Sequence, residues 1–160
     1  MITLTRRYRF SASHRLHSPE LTAAENAELY GKCNNPFGHG HDYILEITAA
    51  GEVDTFTGLI LPVAKLDSLV EKIVLELFAS RNINLDVPQF ANLVPTTENI
   101  ALVIARLLGE HWNAYLRNTR ARLERIHIQE TDRNSFEVLL RASENNRIHF
   151  YDLESVTTHA

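Results

Sequence analysis

Residues 2–14 read ITLTRRYRFSASH, and the alternation of their side chains predicts a β-strand. Successive side chains of a strand point to opposite faces, so Tyr8, Phe10 and His14 share one face. Ala12 lies on the same face. Because two of these side chains are aromatic, we expect this face to pack on the core. His14 is therefore predicted to point inward at the end of the strand.

The remaining chain indicates one α+β domain over residues 1–160. Strands at both ends enclose two long helices, an order typical of an antiparallel sheet with helices on one face. The elements expected after the first strand are a short helix within 19–30, a loop rich in glycine and asparagine at 31–40, a strand at 41–50, a turn at 51–58, a short strand near Leu59, helices at 63–79 and after Pro95, a strand at 123–130, a turn at 131–134, a strand at 136–140 and a last strand at 147–151.

Apolar side chains at helical spacing predict both long helices. The first stripe consists of Leu66, Leu69, Val70, Ile73, Val74 and Leu77. The second stripe consists of Ile100, Val103, Ile104, Leu107, Leu108 and Trp112. A threonine hydroxyl from Thr96 or Thr97 can cap the second helix, and the acidic Glu98 suits its first turn.

Composition and charge exclude several classes of function. The net charge of −4 argues against a dominant nucleic-acid surface, which is normally basic. No apolar run approaches the roughly 18 residues of a membrane-spanning helix. The single cysteine, Cys33, rules out an internal disulfide and fits a reducing compartment. We expect a cytoplasmic protein whose partner is neither a nucleic acid nor a membrane.

Three histidines form a candidate metal site. In an extended chain His39 and His41 point the same way, and Gly40 lets the backbone bend or approach closely between them. His14 is the best third ligand, although His17 is a rival. Three neutral imidazoles leave the fourth tetrahedral position of Zn²⁺ open, the arrangement of a catalytic site. The alternative is an ordinary pair of surface histidines.

Two further residues are candidates for chemistry. The Cys33 thiol lies six residues before His39 and could ionise and take up a proton, or it could be a small buried apolar residue. Glu130, at the end of a predicted strand, could accept two parallel N–H bonds from a guanidine-like edge such as that of a pterin or guanine. A solvated glutamate at a strand end is the alternative.

Taken together, the motifs resemble those of the 6-pyruvoyl-tetrahydropterin synthases over nearly the whole chain. The matching pieces are Phe10-Ser-Ala-Ser-His14, Gly31-Lys-Cys-Asn-Asn-Pro-Phe-Gly-His-Gly-His41, Leu85-Asp-Val-Pro88, Pro95-Thr-Thr-Glu-Asn99 and Glu130-Thr-Asp132. Each piece alone is weak, whereas their joint occurrence in this order is specific.

The resemblance implies a fold, an assembly and a reaction. The fold is the tunnelling fold, a four-stranded antiparallel sheet with two long helices on one face. Subunits join their sheets into trimeric barrels, and two trimers stack into a homohexamer with active sites between subunits. The enzyme eliminates triphosphate from 7,8-dihydroneopterin triphosphate and rearranges the side chain to give 6-pyruvoyl-tetrahydropterin.

The resemblance also assigns roles to residues. His14, His39 and His41 correspond to the ligands of a zinc cofactor. Cys33 matches the catalytic cysteine that removes side-chain protons. Glu130 matches the glutamate that grips the amino-pyrimidinone edge of the pterin, and it is the second predicted catalytic residue.

The pterin pocket and the subtype follow from the same resemblance. Thr96, Thr97 and Glu98 match the segment that lines the pterin pocket and binds the substrate. Five residues separate Cys33 from His39, which is similar to the biopterin-type branch. The related 6-carboxy-tetrahydropterin synthases of queuosine biosynthesis usually have three.

One part of the family pattern is missing. The family carries an Asp-His pair after the first long helix, and its histidine relays protons with the cysteine. Counting back from Asn84, that pair falls on Ala79 and Ser80, which can neither act as a base nor orient one. In the short strand predicted after Gly58, Pro62 stands where the family usually has an acidic or amide residue. The hypotheses left open are a slow or differently wired synthase, a synthase in which a residue from a neighbouring subunit or elsewhere in the chain replaces the relay, and a pterin-binding protein without the reaction. A 6-carboxy-tetrahydropterin synthase acting on the same substrate is a further alternative.

Overall fold

The computed structural model describes residues 1–140. The strands are β1 (Ile2–His14), β2 (His39–Gly51), β3 (Arg81–Asn82), β4 (Arg122–Gln129) and β5 (Ser135–Leu139). The helices are α1 (Ala23–Tyr30), α2 (Val63–Val70), α3 (Glu76–Phe78), α4 (Ile83–Asp86) and α5 (Thr97–Leu116). The predicted strand at 147–151 lies outside the described residues.

The strands form one sheet in the order β3-β1-β2-β4-β5. The pairs β1–β2, β2–β4 and β4–β5 are antiparallel, which confirms the predicted four-stranded antiparallel sheet. The fifth strand, β3, is parallel to β1 through only two residue pairs. Two residues are too few to produce an alternating pattern, so the sequence carried no signal for β3.

Both predicted long helices are present. The first runs through α2, a π-helical segment at Glu71–Leu75 and α3, so it ends one residue before the predicted end. The second, α5, begins after Thr96, whose hydroxyl accepts the backbone N–H of Asn99 at 3.3 Å as the predicted cap.

The core lies between one face of the sheet and these helices. Phe10 on β1 is opposite Tyr43 on β2, and their rings stack with centroids 5.1 Å apart. The buried side chains that the helices contribute include Leu66, Leu69, Val70, Val74, Phe78, Ile100, Ile104 and Leu108. These are mostly the residues of the two predicted stripes, so burial of the stripes positions both helices against the sheet.

The prediction of a strand near Leu59 is wrong. The backbone there forms a closed loop, with hydrogen bonds from Gly58 N–H to Asp54 O and from Asp54 N–H to Leu59 O. Gly58 has a positive φ of 72°, which turns the chain out of an extended path. Because these bonds fold the segment back on itself, the backbone at Leu59 does not pair with a strand of the sheet. Within residues 1–140, no helix has the length and apolar content needed to cross a membrane.

Candidate active site

Register between β1 and β2 brings the three histidines together. His14 is directly opposite His39, and His41 is opposite Ala12 on the same face. The ring centroids are 4.7 Å apart for His14–His39, 5.2 Å for His14–His41 and 4.7 Å for His39–His41. One nitrogen from each ring lies within 4.8 Å of the other two. Strand pairing alone therefore assembles the group.

The nitrogen atoms are arranged as ligands. His14 Nδ1 is 2.8 Å from the carbonyl oxygen of Pro95, which fixes that nitrogen as the N–H donor and leaves Nε2 with a free lone pair. His14 Nε2 lies 3.2 Å from His39 Nε2. Two nitrogens bound to one tetrahedral Zn²⁺ at ~2.05 Å would be separated by ~3.3 Å. The observed separation fits a shared ion.

The hydrogen bonding of the imidazole nitrogens also indicates a metal site. His41 Nε2 is buried and has no hydrogen-bond partner among residues 1–140, and an ion shared with His14 Nε2 and His39 Nε2 would supply one. Burial lowers the pKa values of His14 and His39, so their rings are neutral at pH 7. Neutral imidazole is the form that binds metal ions. The three neutral imidazoles and the unpaired Nε2 of His41 fit a metal ion.

A glycine allows this close packing, but it is Gly38 and not Gly40. Gly38 has a φ of +70°, and a Cβ there would lie 2.8 Å from the carbonyl oxygen of His14. A Cβ on Gly40 would meet only the Ala12 carbonyl at 3.5 Å, an ordinary contact. The expected role of Gly40 is therefore wrong, because Gly40 sits in regular β2 while Gly38 makes the turn into it.

A carboxylate faces the histidines from the end of β4. Glu130 Oε1 lies 3.7 Å from His14 Nε2 and 3.6 Å from His41 Nε2. Thr97, at the first turn of α5 and almost fully buried, donates its hydroxyl to the same oxygen at 2.6 Å. The turn after β4 fixes the backbone, with Glu130 N–H donating to Asn134 O at 3.0 Å. Glu130 is thus held beside the candidate metal site and is not a freely solvated side chain.

The other two residues of the predicted pocket segment are placed differently. Thr96 uses its hydroxyl to cap α5, and the preceding Pro95 carbonyl holds His14. Glu98 is exposed on the first turn of α5. Thr97 is therefore the member of this segment whose side chain joins the buried group.

Cys33 lies in a 3-10 turn at Gly31–Asn34 that is attached to the chain following His14. Leu16 N–H donates to the Cys33 carbonyl at 2.8 Å, and the Asn34 side-chain amide donates to the Leu16 carbonyl at 2.7 Å. On the other side, Asn84 bonds both the N–H and the C=O of Arg15, at 2.7 and 3.0 Å. These contacts fix the turn relative to His14.

The environment of Cys33 disfavours the thiolate. Burial raises the pKa of the Cys33 thiol above its ordinary value, and the Glu130 carboxylate raises it further. In the metal-free protein, alkylation of Cys33 by iodoacetamide should therefore have a midpoint above the ordinary cysteine pKa of about 8.5. A pH series of alkylation rates measures this midpoint without interference, because Cys33 is the single cysteine.

Removal of the carboxylate charge should move that midpoint. The Glu130→Gln variant is expected to alkylate with a lower midpoint, since the negative charge that opposes ionisation is gone. Glu137→Gln is the matched control, because Glu137 pairs with Arg125 on the exposed part of the sheet. Equal midpoints for Glu130→Gln and the unchanged protein would contradict the proximity of Glu130 and Cys33.

The rival ligand His17 is not part of the histidine group. Its Nδ1 lies 3.1 Å from the Asn34 amide and 3.4 Å from an Arg15 guanidinium nitrogen. His17 is therefore engaged with the Cys33 turn, and the third member of the group is His14.

One site residue had no signal in the sequence beyond its place on a core face. Tyr43 lies two residues after His41 on the same face of β2. It is 0% exposed, and its ring centroid is 5.6 Å from that of His41. Its hydroxyl has no hydrogen-bond partner in the described part of the chain. Alternation predicts only that Tyr43 is buried; the unpaired hydroxyl is visible only in three dimensions.

Comparison with known proteins identifies the family. The family model for 6-pyruvoyl tetrahydropterin synthase matches residues 3–140. The chain belongs to this family. The 6-pyruvoyl tetrahydrobiopterin synthase of Poecilia reticulata is 42% identical over 82% of this chain and 85% of the relative. The Homo sapiens protein of the same description is 46% identical over 63% of this chain and 70% of the relative.

A solved structure supports the same family assignment. The 6-pyruvoyl tetrahydropterin synthase of Caenorhabditis elegans superposes with a TM-score of 0.77 and 36% sequence identity, covering 86% of this chain and 94% of the other. The chain therefore has the tunnelling fold of the 6-pyruvoyl tetrahydropterin synthase family and is an enzyme of that type.

The segment at which the sequence resemblance implies an Asp-His pair has a well-defined backbone. Ala79 follows α3, and Ser80 has a positive φ of 59° and donates its N–H to the Ser11 carbonyl at 2.7 Å. Ser80 lines a shallow groove of about 380 Å³ together with residues of β1, β2 and β3. Neither side chain is ionisable, so this segment contributes no proton-transfer group in this chain.

Proposed function

We propose that the protein is a zinc-dependent lyase that converts 7,8-dihydroneopterin triphosphate to 6-pyruvoyl-tetrahydropterin with release of triphosphate. The observation that carries the proposal is the position of Glu130, whose Oε1 lies 3.6–3.7 Å from two of the three histidines. A carboxylate that could grip a pterin edge is thereby placed next to a site that could hold the metal.

The residues divide into groups with separate roles. His14, His39 and His41 would hold Zn²⁺, which as a Lewis acid would polarise a substrate oxygen. Glu130 would accept two N–H groups of the pterin ring. The Thr97 hydroxyl, which donates to Glu130 Oε1, would hold the carboxylate in place. Cys33 would take up and return side-chain protons, and its raised pKa favours the protonated thiol before the substrate and metal are bound.

The reaction itself is the direct test. The zinc-loaded protein is incubated with 7,8-dihydroneopterin triphosphate, and free triphosphate and product mass are measured together. Zinc-dependent triphosphate release with the mass of 6-pyruvoyl-tetrahydropterin supports the proposal. Bound zinc without release would contradict it.

Two alternatives have distinct outcomes. A 6-carboxy-tetrahydropterin synthase acts on the same substrate and would be recognised by its product mass. A pterin-binding protein without turnover is favoured by Ala79 and Ser80, which replace the relay pair. That alternative predicts tight pterin binding, no triphosphate release, and no functional effect of Cys33→Ala.

Separate roles for Glu130 and the histidines can be tested by one substitution. Glu130→Ala is expected to weaken pterin binding by about 10- to 100-fold, the range for losing a charged hydrogen-bond acceptor. Zinc content should not change, because the carboxylate is not one of the three ligands. Pterin fluorescence titration and metal analysis measure the two properties independently.

The outcome has a clear control. Glu137→Ala removes another carboxylate, one that pairs with Arg125 at 2.8 Å, and should leave both properties intact. Equal loss of zinc and pterin in Glu130→Ala would refute the separate roles.

We also propose a homohexamer built as a dimer of trimers, with sites between subunits, and a cytoplasmic location. The lone cysteine supports a reducing compartment. Sedimentation velocity of the purified protein distinguishes a hexamer from a monomer or trimer.

A further inference from the structure

A partly buried arginine and a partly buried histidine lie beside the Cys33 turn and have no role in the proposed reaction. Arg15 directly follows His14, and its Nε–H donates to the Asn34 carbonyl at 3.2 Å. Its Nη2 lies 3.4 Å from Nδ1 of His17, and that ring nitrogen is also 3.1 Å from the Asn34 side-chain amide. The Arg15 and His17 side chains are therefore held together against the residue that follows Cys33.

The hydrogen bonds of this pair leave several donors unused. A guanidinium nitrogen can only donate, so Nδ1 of His17 accepts and the ring hydrogen is on Nε2. Arg15 has five N–H groups, and only those on Nε and Nη2 reach the Asn34 carbonyl and His17. The Nη1 hydrogens of Arg15 and the Nε2–H of His17 have no acceptor among residues 1–140.

The positive charge of Arg15 also lacks a counterion. No carboxylate of the described chain forms an ion pair with it, whereas Arg6 and Arg125 each pair with one at 2.8 Å. A partly buried charge without a partner is unfavourable, and a bound anion would offset that cost. Lys32 adds an exposed positive charge on the same turn as Cys33. An unpaired charge and unused donors in one place are the features of an anion site.

The position of the pair within the proposed reaction indicates which anion it binds. Glu130 would bind the pterin edge, and the side chain of the substrate would extend from the ring toward Cys33, which exchanges its protons. The triphosphate is attached at the far end of that side chain and therefore lies beyond Cys33. Asn34, which bonds both Arg15 and His17, directly follows Cys33. Phosphate oxygens are strong acceptors that a guanidinium can bind in pairs.

We propose that Arg15 and His17 bind the triphosphate of the substrate, with Arg15 Nη1 and His17 Nε2 donating to phosphate oxygens. The inference rests on the proposed function, because it requires a pterin substrate that carries phosphate. The pair places the leaving group on the far side of Cys33 from the pterin ring. It also selects phosphorylated pterins over unphosphorylated ones.

Two ligands that differ only in the phosphates test this role. Dissociation constants for neopterin and neopterin triphosphate are measured by pterin fluorescence with the zinc-loaded protein, and zinc content is measured on the same samples. The unchanged protein should bind neopterin triphosphate more tightly than neopterin by about tenfold or more. In Arg15→Gln, affinity for neopterin triphosphate should fall about 10- to 100-fold, the range for losing a charged donor, while affinity for neopterin stays within about twofold.

A second variant preserves the turn more closely. In His17→Asn, the asparagine oxygen can replace Nδ1 as an acceptor, while the Nε2–H is lost. Its affinity for neopterin triphosphate should fall about 3- to 10-fold, with neopterin affinity unchanged. Arg120→Gln is the matched control, because it removes the same charge from an arginine that pairs with Glu52, just beyond the other end of β2. This control should bind both ligands as the unchanged protein does.

The outcomes separate this inference from the proposed function. Equal affinity of the unchanged protein for the two ligands would overturn the phosphate role and leave the pterin assignment in place. Equal losses of both ligands in Arg15→Gln and His17→Asn would also overturn it, because the pair would then act only by supporting the Cys33 turn. If the unchanged zinc-loaded protein binds neither ligand, the pterin assignment and this inference both fail.

Discussion

Replacement of His39 by alanine is expected to remove stoichiometric zinc and to reduce triphosphate release by about 10²- to 10⁴-fold. The expected loss corresponds to the several kcal/mol that a Lewis acid contributes to stabilising developing charge. His39 is the suitable target because it lies between the other two rings, with centroids 4.7 Å from each. Its loss leaves two ligands, which is too few for a stable zinc site.

Metal analysis and triphosphate release measured on the same sample check this result. His127→Ala is the control, since His127 lies on β4 beside Glu46, with 3.5 Å between Nδ1 and Oε2. It should retain both zinc and activity. Full zinc content in His39→Ala would show that the three histidines are not the ligand set.

The second large expected effect is an increase in turnover. The double variant Ala79→Asp/Ser80→His introduces the Asp-His pair that the family resemblance implies at these positions, and turnover is expected to rise by about 10²- to 10⁴-fold, the usual contribution of a positioned base. The backbone can accept the change, because Ser80 already has a φ of +59° and histidine is among the residues enriched in that region. The substitution should therefore add a base without unfolding the turn after α3.

The matched control is Ala79→Asp/Ser80→Asn, because asparagine also tolerates a positive φ but cannot act as a base. Steady-state kcat for triphosphate release separates the variants. An equal increase in both would assign the gain to the backbone or the aspartate. No increase in the histidine variant would mean that proton transfer to and from Cys33 already uses another group.

Much of the fold follows from local patterns in the sequence. The long strands, the two helices and the Thr96 cap each have their signal within one contiguous segment, so alternation and helical spacing are sufficient. β3 was missed because its two residues owe their strand pairing to β1 and not to their own pattern. The prediction of a strand near Leu59 was wrong because hydrogen bonds between Asp54, Gly58 and Leu59 close this segment into a loop.

The candidate site could likewise be predicted only in part from local sequence patterns. The spacing of His39 and His41 is local, but the pairing of His14 opposite His39 depends on register between two strands. The prediction that Gly40 allows close packing was wrong, because the steric limit is at Gly38 and depends on the distant His14 carbonyl. The unpaired Tyr43 hydroxyl is a property of its neighbours and cannot be read from its own position.

The register between β1 and β2 also affects how quickly the candidate site could exchange a bound metal ion. His14 is the last residue of β1, and His39 is the first residue of β2, so the ligands lie at the open end of a strand ladder. Strand ends fray more readily than strand centres. Metal release should therefore be coupled to transient opening of these terminal pairs. Asn84, whose side chain bonds the N–H and C=O of Arg15 next to His14, would then govern the residence time of the ion as well as its geometry.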